Sequence, residues 1–284
     1  MKRIIYSVCM LVSIWGLQSC LKEDVLPSGS GGTGGSGDLS SALKAPDSAG
    51  ACPQNVLVTN MSALWCGPCG QQGIPRFYEA LNINPAKVIG IKVNGDQDVL
   101  SNPISNALAS YLNYSGGIPA YAEGINRFGQ DISGLKSSIN NRLKEKPAAW
   151  IGINGMFTGD TINAATKVRF YSTPAADMKY NVCVYVLEDS VSCTQNGITQ
   201  NPYYAAHINR GVMNPTSGGA TDMPWGNPIA SGTLTAGKDY VNYFRFTSST
   251  KFKKKDLSLV SVIYQMQADS AIKVINVARL DAIK

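Results

Sequence analysis

Histidine is almost missing from this 284-residue chain; His207 is the sole one. That scarcity narrows the metal chemistry, because a structural zinc site normally takes four Cys or His ligands. A second paired-cysteine motif is missing too, so a zinc half-site at Cys66 and Cys69 would have no other half. The sequence carries no phosphate-binding glycine loop, calcium loop or paired-carboxylate motif. It also lacks an apolar run long enough to cross a bilayer: Ile4 to Trp15 is about a dozen residues, where a spanning helix needs about 20. Basic residues are not gathered for nucleic acid. The only dense cluster, Lys251 and Lys253 to Lys255, has no interleaved aromatics and reads as a solvated loop.

What is present is Leu64-Trp65-Cys66-Gly67-Pro68-Cys69, between the apolar run Val56-Leu57-Val58 and a helix-compatible segment, Gln71 to Leu81. A CxxC at a strand-to-helix junction reads as a redox site. The unpaired N–H groups and positive dipole end of the helix stabilise a thiolate on Cys66. Such sites lower the thiol pKa from about 8.5 to roughly 7 or below. Cys69, one turn on, is placed to attack the mixed disulfide and release the product. The bland reading is a structural disulfide.

Downstream, Gly116-Gly117-Ile118-Pro119 precedes the apolar segment Ala120-Tyr121-Ala122. Trp-Cys-Gly-Pro-Cys together with Gly-Ile-Pro resembles the thioredoxin superfamily. The resemblance implies that Pro119 is a cis proline packed on the CxxC. It also implies that Ile118 offers backbone hydrogen bonds to substrate and that Trp65 helps bind it. Gly67 and Pro68 match the reducing members of the superfamily rather than strong oxidants. The implied chemistry runs on two sulfurs, with protein thiols and disulfides as partners and no metal or cofactor. Two residues depart from the pattern. Asn60 stands where thioredoxins keep a buried acid, and Pro75 lies one residue further from Cys69 than their helix proline.

The first residues point to export. Met1-Lys2-Arg3 is a basic start, Ile4 to Trp15 an apolar core, and Leu17-Gln18-Ser19-Cys20 resembles a bacterial lipobox. Residues 1–19 are thus expected as a lipoprotein signal peptide, with Cys20 acylated and holding the chain to a membrane; ordinary cleavage near Ser19 or an uncleaved anchor is the alternative. Lys22-Glu23-Asp24 resembles the Lys-acid-acid export tag of surface lipoproteins of the Bacteroidota. That implies an outer-membrane lipoprotein exposed at the cell surface, with a periplasm-facing protein as the alternative. Residues 20–50 include a Gly/Ser/Thr-rich stretch, Pro27 to Gly37, too polar to offset chain entropy. They are expected as a flexible tether with a reach of roughly 30 Å. The formal net charge is +6; Lys2 and Arg3 supply two, leaving +4 after cleavage.

Cleavage leaves Cys52, Cys66, Cys69, Cys183 and Cys193 beside Cys20. Cys66 and Cys69 form the redox pair. Cys183 and Cys193 are close enough in sequence to clip a strand to the loop after it, leaving Cys52 free; connectivity itself is not readable from spacing.

Residues 51–147 alternate strands and helices, with Leu135, Ile139 and Leu143 at helical spacing, and predict an α/β thioredoxin-like domain. Residues 148–284 change to short strands and Gly/Pro/Asn/Asp turns, predicting an all-β immunoglobulin-like sandwich. Val182, Val184 and Val186 alternate with Cys183, Tyr185 and Leu187. This plan resembles the outer membrane protein 28-related lipoproteins, with Glu188-Asp189 and His207-Ile208-Asn209-Arg210 as supporting motifs. His207 reads as a packed, backbone-bonded residue or as part of a ligand site near Tyr203, Tyr204 and Arg210. Trp225 reads as a loop anchor or as a sugar platform. The expected function is a lipid-anchored extracytoplasmic thiol-disulfide oxidoreductase, reductase or isomerase. Outside the cytoplasm it needs a partner to re-reduce it. The competing expectation is a surface binding or adhesion lipoprotein that uses the thioredoxin-like domain as a scaffold.

Overall fold

The computed structural model describes residues 38–95, 97–112, 117–217 and 223–284. The expected signal peptide, Cys20, the Lys22-Glu23-Asp24 tag, the tether up to Gly37 and Gly116 lie outside the described residues.

Two strands rich in β-branched residues start the sheet. β1 (Val56–Ser62) and β2 (Val88–Asn94) run parallel, in register from Val56↔Val88 to Ser62↔Asn94. Between them, α1 (Ile74–Leu81) carries Pro75 in its first turn, where a missing N–H costs nothing, and buries Ile74, Phe77, Ala80 and Leu81. Then come α2 (Pro103–Leu112), β3 (Ala120–Glu123), β4 (Asn126–Gly129) and α3 (Ile132–Arg142). Asp131 caps α3, its carboxylate accepting the Gly134 N–H at 3.0 Å. Phe77, Leu135 and Ile139 from α1 and α3 pack on Val56, Val58 and Val88. Ile104 and Leu108 of α2 share a cluster with Leu57, Ile89 and Ile91, whose side chains leave the strands on the other face.

Strands dominate the rest. They are β5 (Ala149–Thr158), β6 (Thr161–Phe170), β7 (Lys179–Glu188), β8 (Val191–Cys193), β9 (Tyr203–Ala205) and β10 (Ile208–Val212), followed by β11 (Asn214–Pro215), β12 (Asn227–Pro228), β13 (Asp239–Thr247), β14 (Leu257–Gln267) and β15 (Ser270–Leu280). One sheet runs β15-β14-β7-β10-β2-β1-β3-β4, with β12 also on β7; a second runs β11-β13-β6-β5, and β8 pairs with β9. β7 is buried on both faces, so its near-continuous apolar run is what the position requires. Val182, Val184 and Val186 face the second sheet through Ile151, Val168 and Phe170. Cys183, Tyr185 and Leu187 join Trp225 and α2 on the other side. Trp225 is buried, its ring 4.5 Å from that of Tyr111 and 5.2 Å from that of Tyr264, and it anchors its loop.

Strands from both parts of the sequence therefore share one sheet, and Asp38–Lys284 forms one compact unit. The join is narrow. β10 meets β2 in parallel at Ile208↔Lys92, where the Lys92 N–H donates to the His207 carbonyl at 2.7 Å. The Glu-Asp and His-Ile-Asn-Arg motifs converge here. Asp189 accepts the His207 N–H at 2.6 Å and pairs with Arg279 at 3.1 Å, while Arg210 pairs with Glu188 at 2.8 Å.

His207 sits at φ +60°, mostly buried beside Phe77 and Tyr78. Arg279 donates to its Nδ1 at 2.8 Å, which puts the ring proton on Nε2. Burial, reinforced by Arg279 against the opposing Asp189, lowers its pKa from 6.5 to about 4. The unfolded chain binds this proton near pH 6.5, whereas the fold resists it until about pH 4. This stability is therefore complete above pH 6.5 and is lost as pH falls toward 4, by at most about 3 kcal/mol. His207→Asn keeps a residue that tolerates positive φ and removes the titration. Its melting temperature is expected to fall less steeply between pH 6.5 and 4 than that of the parent.

One stretch of the expected tether is held in place. Residues 38–50 carry only two large apolar side chains, Leu39 and Leu43, yet their carbonyls are captured by side chains of β5 and β6 and of the residue after β6. Asn154 donates to Leu39 at 3.1 Å, Lys167 to Leu43 at 2.6 Å, and the Tyr171 hydroxyl to Pro46 at 3.0 Å. Side-chain donors supply here the ordering that composition does not.

Candidate redox site

The CxxC lies where β1 gives way to the helix. Cys66 and Cys69 are joined by a disulfide with Cα atoms 5.2 Å apart. Cys69–Gly73 form a π-type turn that leads into α1, so the first helical N–H groups face the cysteines. The Cys69 N–H donates to Cys66 Sγ at 3.1 Å, the contact that supports a thiolate once the disulfide opens. Cys69 is fully buried and Cys66 is 5% exposed, whereas Trp65 beside it is 57% exposed. Cys66 thus lies just beneath the exposed Trp65 ring.

The Ile118–Pro119 peptide bond is cis, and the Ile118 carbonyl oxygen lies 3.7 Å from Cys66 Sγ. Pro119 approaches the helix start so closely that a Cβ on Gly73 would come within 2.6 Å of Pro119 Cβ. The Tyr121 hydroxyl, donating to the Gly73 carbonyl at 2.9 Å, fixes the same turn. Trp65, Cys66, Gly67, Pro68, Cys69, Ile118 and Pro119 therefore lie together, Trp65 and Pro68 exposed and Cys66, Cys69 and Pro119 buried.

Beneath them is a polar patch. Asn60 pairs with Lys92 and Ser62 with Asn94 in the β1–β2 register, all on the face that carries α1. All four are buried, and Asn60 Oδ1, Ser62 Oγ, Lys92 Nζ and both side-chain polar atoms of Asn94 have no hydrogen-bond partner. Asn60 Nδ2 donates to the Ala120 carbonyl at 3.3 Å. Burial lowers the Lys92 pKa from 10.5 to about 8, against the opposing influence of Cys193 and Asp98. Asp98, itself buried, accepts the Leu64 N–H and, at 2.8 Å, the Leu100 N–H.

Sequence reasoning missed a third contributor. Gln195 is 1% exposed and its Nε2 lies 3.1 to 3.3 Å from the carbonyl oxygens of Ala63, Leu64, Cys66 and Asn196. Asn196 adds its backbone N–H to the Leu64 carbonyl at 2.8 Å and its side-chain amide to the Trp65 carbonyl at 3.1 Å. No local pattern marks these residues. A glutamine followed by Asn-Gly in a polar loop reads as a turn.

Cys183 and Cys193 are not bridged; both are free, as is Cys52. Cys183 points into the α2-side core, where burial pushes its thiol up, while Cys193 packs with Leu64, Leu100 and Tyr203. The alternation that buries Val182 and Val184 on one face turns Cys183 to the other. His207 lines a separate cleft of about 620 Å³ with Tyr78, Trp150, Asn276 and Arg279. It does not join the CxxC surface.

No protein-family model matches the sequence, and no curated protein matches it. Among solved structures the chain is similar to HBP35 of Porphyromonas gingivalis, at 18% identity and a TM-score of 0.66, over 82% of this chain and 76% of that one. A domain of the outer membrane lipoprotein Omp28 from Porphyromonas gingivalis aligns at 19% identity and a TM-score of 0.31, over 48% of this chain and 96% of that one. Spo0M, a sporulation control protein from Bacillus subtilis, aligns at 11% identity and a TM-score of 0.29, over 48% of this chain and 49% of that one. The likeness to HBP35 shows a shared fold over most of the chain. The other two superpose too loosely to carry an argument.

Proposed function

We propose that the protein is a thiol-disulfide oxidoreductase of the bacterial envelope, acting on protein disulfides. The observation that carries this reading is the Cys66–Cys69 disulfide at a helix start, with the Ile118 carbonyl 3.7 Å from the exposed-side sulfur. In the reduced protein, the Cys66 thiolate attacks a substrate disulfide. One substrate sulfur leaves as thiolate while Cys66 holds the other. Cys69 then attacks Cys66 Sγ, re-forming the disulfide and releasing the second substrate thiolate. Trp65 and the backbone at Ile118 hold the substrate chain on either side. A thioredoxin-like body joined to a β-sandwich fits this activity, and lipid attachment through Cys20 would keep it at the outer membrane. A partner thiol is needed to reduce it again.

Trapping tests the reading. Cys69→Ala leaves the attacking sulfur and removes the resolving one, so mixed disulfides through Cys66 should accumulate in cells and resolve on adding dithiothreitol. Protease added to intact cells before lysis reports whether the trapped species face outward. Recovery of no mixed disulfide, with partner binding intact in a Cys66/Cys69 double variant, would favour the binding-module reading. The exposed apolar pair Trp65 and Val99 beside a groove of about 620 Å³ is the feature that would serve it.

A further inference from the structure

The loop 195–197 comes from the β-rich part of the chain, yet it is built onto the CxxC backbone. Gln195 presents two N–H donors to the carbonyls of Ala63, Leu64 and Cys66 and to that of Asn196. The acceptors fix the amide's orientation: a flipped side chain would aim its oxygen at three carbonyl oxygens of the CxxC approach. Gln195 Oε1 is buried without a partner, so the residue keeps this pose at the expense of its own acceptor. Asn196 adds the bonds to Leu64 and Trp65 described above. Gly197, at φ +84°, brings its backbone so close that a Cβ would lie 2.2 Å from the Gly67 carbonyl oxygen. A Cβ on Gly70 would likewise lie 2.1 Å from the Asn196 carbonyl oxygen. Every residue from Ala63 to Gly67 is thus touched by this strap.

The electrostatic consequence follows from the carbonyls. The oxygens of Ala63, Leu64 and Cys66 are negative dipole ends on the backbone that carries the sulfur, which must become an anion. In a buried site, where partial charges are poorly screened, they oppose the thiolate unless a donor faces them. Each already accepts one backbone N–H, from Cys66, Asn196 and Gly70 respectively, and the Gln195 amide adds a second donor to all three. The Cys69 N–H then acts on Cys66 Sγ with less opposition.

We propose that Gln195 is a positioning residue of the redox site, holding the CxxC backbone through its carbonyls and thereby favouring the Cys66 thiolate. The proposal rests on the oxidoreductase reading and names the part of the fold that tunes that site. Without the amide, the thiolate loses support and the disulfide gains relative to the dithiol. The relevant equilibrium is protein disulfide plus two glutathione giving protein dithiol plus glutathione disulfide, in which two electrons pass and the sulfurs balance.

The test uses the full chain with Gln195→Met, which keeps the side-chain length and removes both donors, beside Gln195→Ala. Thiolate formation at Cys66 is read by ultraviolet absorbance against pH, and the equilibrium by titration with glutathione. In Gln195→Met, the thiolate fraction at neutral pH should fall three- to tenfold. The glutathione equilibrium should move toward the disulfide by a similar factor, tenfold being about 30 mV. A Gln195→Met protein that melts as a folded protein with both readouts unchanged overturns the proposal. If Gln195→Ala does not fold, Gln195→Met alone decides. A parent protein with no reversible disulfide would instead overturn the oxidoreductase reading, so the two failures are separate.

Discussion

Asn60→Asp should raise disulfide reductase turnover about tenfold or more, with the Cys66 thiolate titration nearly unchanged. Asn60 is fully buried beneath the CxxC, and its Oδ1 has no partner. An amide cannot accept a proton near neutral pH, so the resolving cysteine has no carboxylate at this position to receive its proton. A carboxylate there would be pushed upward by burial, toward the operating range of a general base. Lys92, its register neighbour across β1 and β2, would limit that rise. General acid–base help is typically worth 10²–10⁴-fold where it operates fully, so a fraction of it is readily measured. Insulin reduction under saturating reductant, with single-turnover release of a mixed disulfide, separates resolution from attack. Unchanged release would mean that another group already takes the proton or that resolution is not limiting.

Gly73→Ala tests the other side of the site, and two effects of opposite sign meet there. Gly73 has ordinary helical angles, φ −60° and ψ −52°, so alanine should gain about 1 kcal/mol of helix propensity. Its Cβ, however, would lie 2.6 Å from Pro119 Cβ and 3.0 Å from Pro119 Cγ, both in a closely packed turn. Overpacking of this kind costs about 1–3 kcal/mol, which equals or exceeds the propensity gain. The expected protein is folded, less stable by up to roughly 2 kcal/mol, with Pro119 and Ile118 displaced from Cys66. Because kcat/KM depends on that alignment, it should fall at least tenfold while the Cys66 thiolate remains titratable. An alanine variant as active and as stable as the parent would show that Pro119 can retreat without consequence.

The parts of the molecule that were legible in the sequence are local in origin. The CxxC between β1 and α1, the helical spacing of Leu135 and Ile139, and the alternation along Val182–Leu187 all follow from residues a few positions apart. Sequence distance hid the rest. Gln195 reaches Cys66 across 129 positions, and nothing in Thr194-Gln195-Asn196-Gly197 announces an acceptor elsewhere. Asp98 belongs to a polar connecting stretch, and only its contact with Leu64 reveals a role. The pairing of Ile208 with Lys92 is equally silent, since one parallel bridge leaves no periodic trace. Residues 38–50 misled in the opposite direction. Their composition suits a coil, yet their backbone carbonyls, together with the Asp38 and Ser40 side chains that bond Tyr243, hold them to the sheet.

The narrow join between β10 and β2 has a consequence for how the chain can be divided. Cutting after Pro147 would remove the bridge from β10 to β2 at Lys92 and leave β2 as an open edge of the sheet. Such an edge is a template for sticking to another copy. The same cut would bare the α2 face now covered by β7 and Trp225. The later strands thus cover apolar surface of the earlier ones within a single polypeptide.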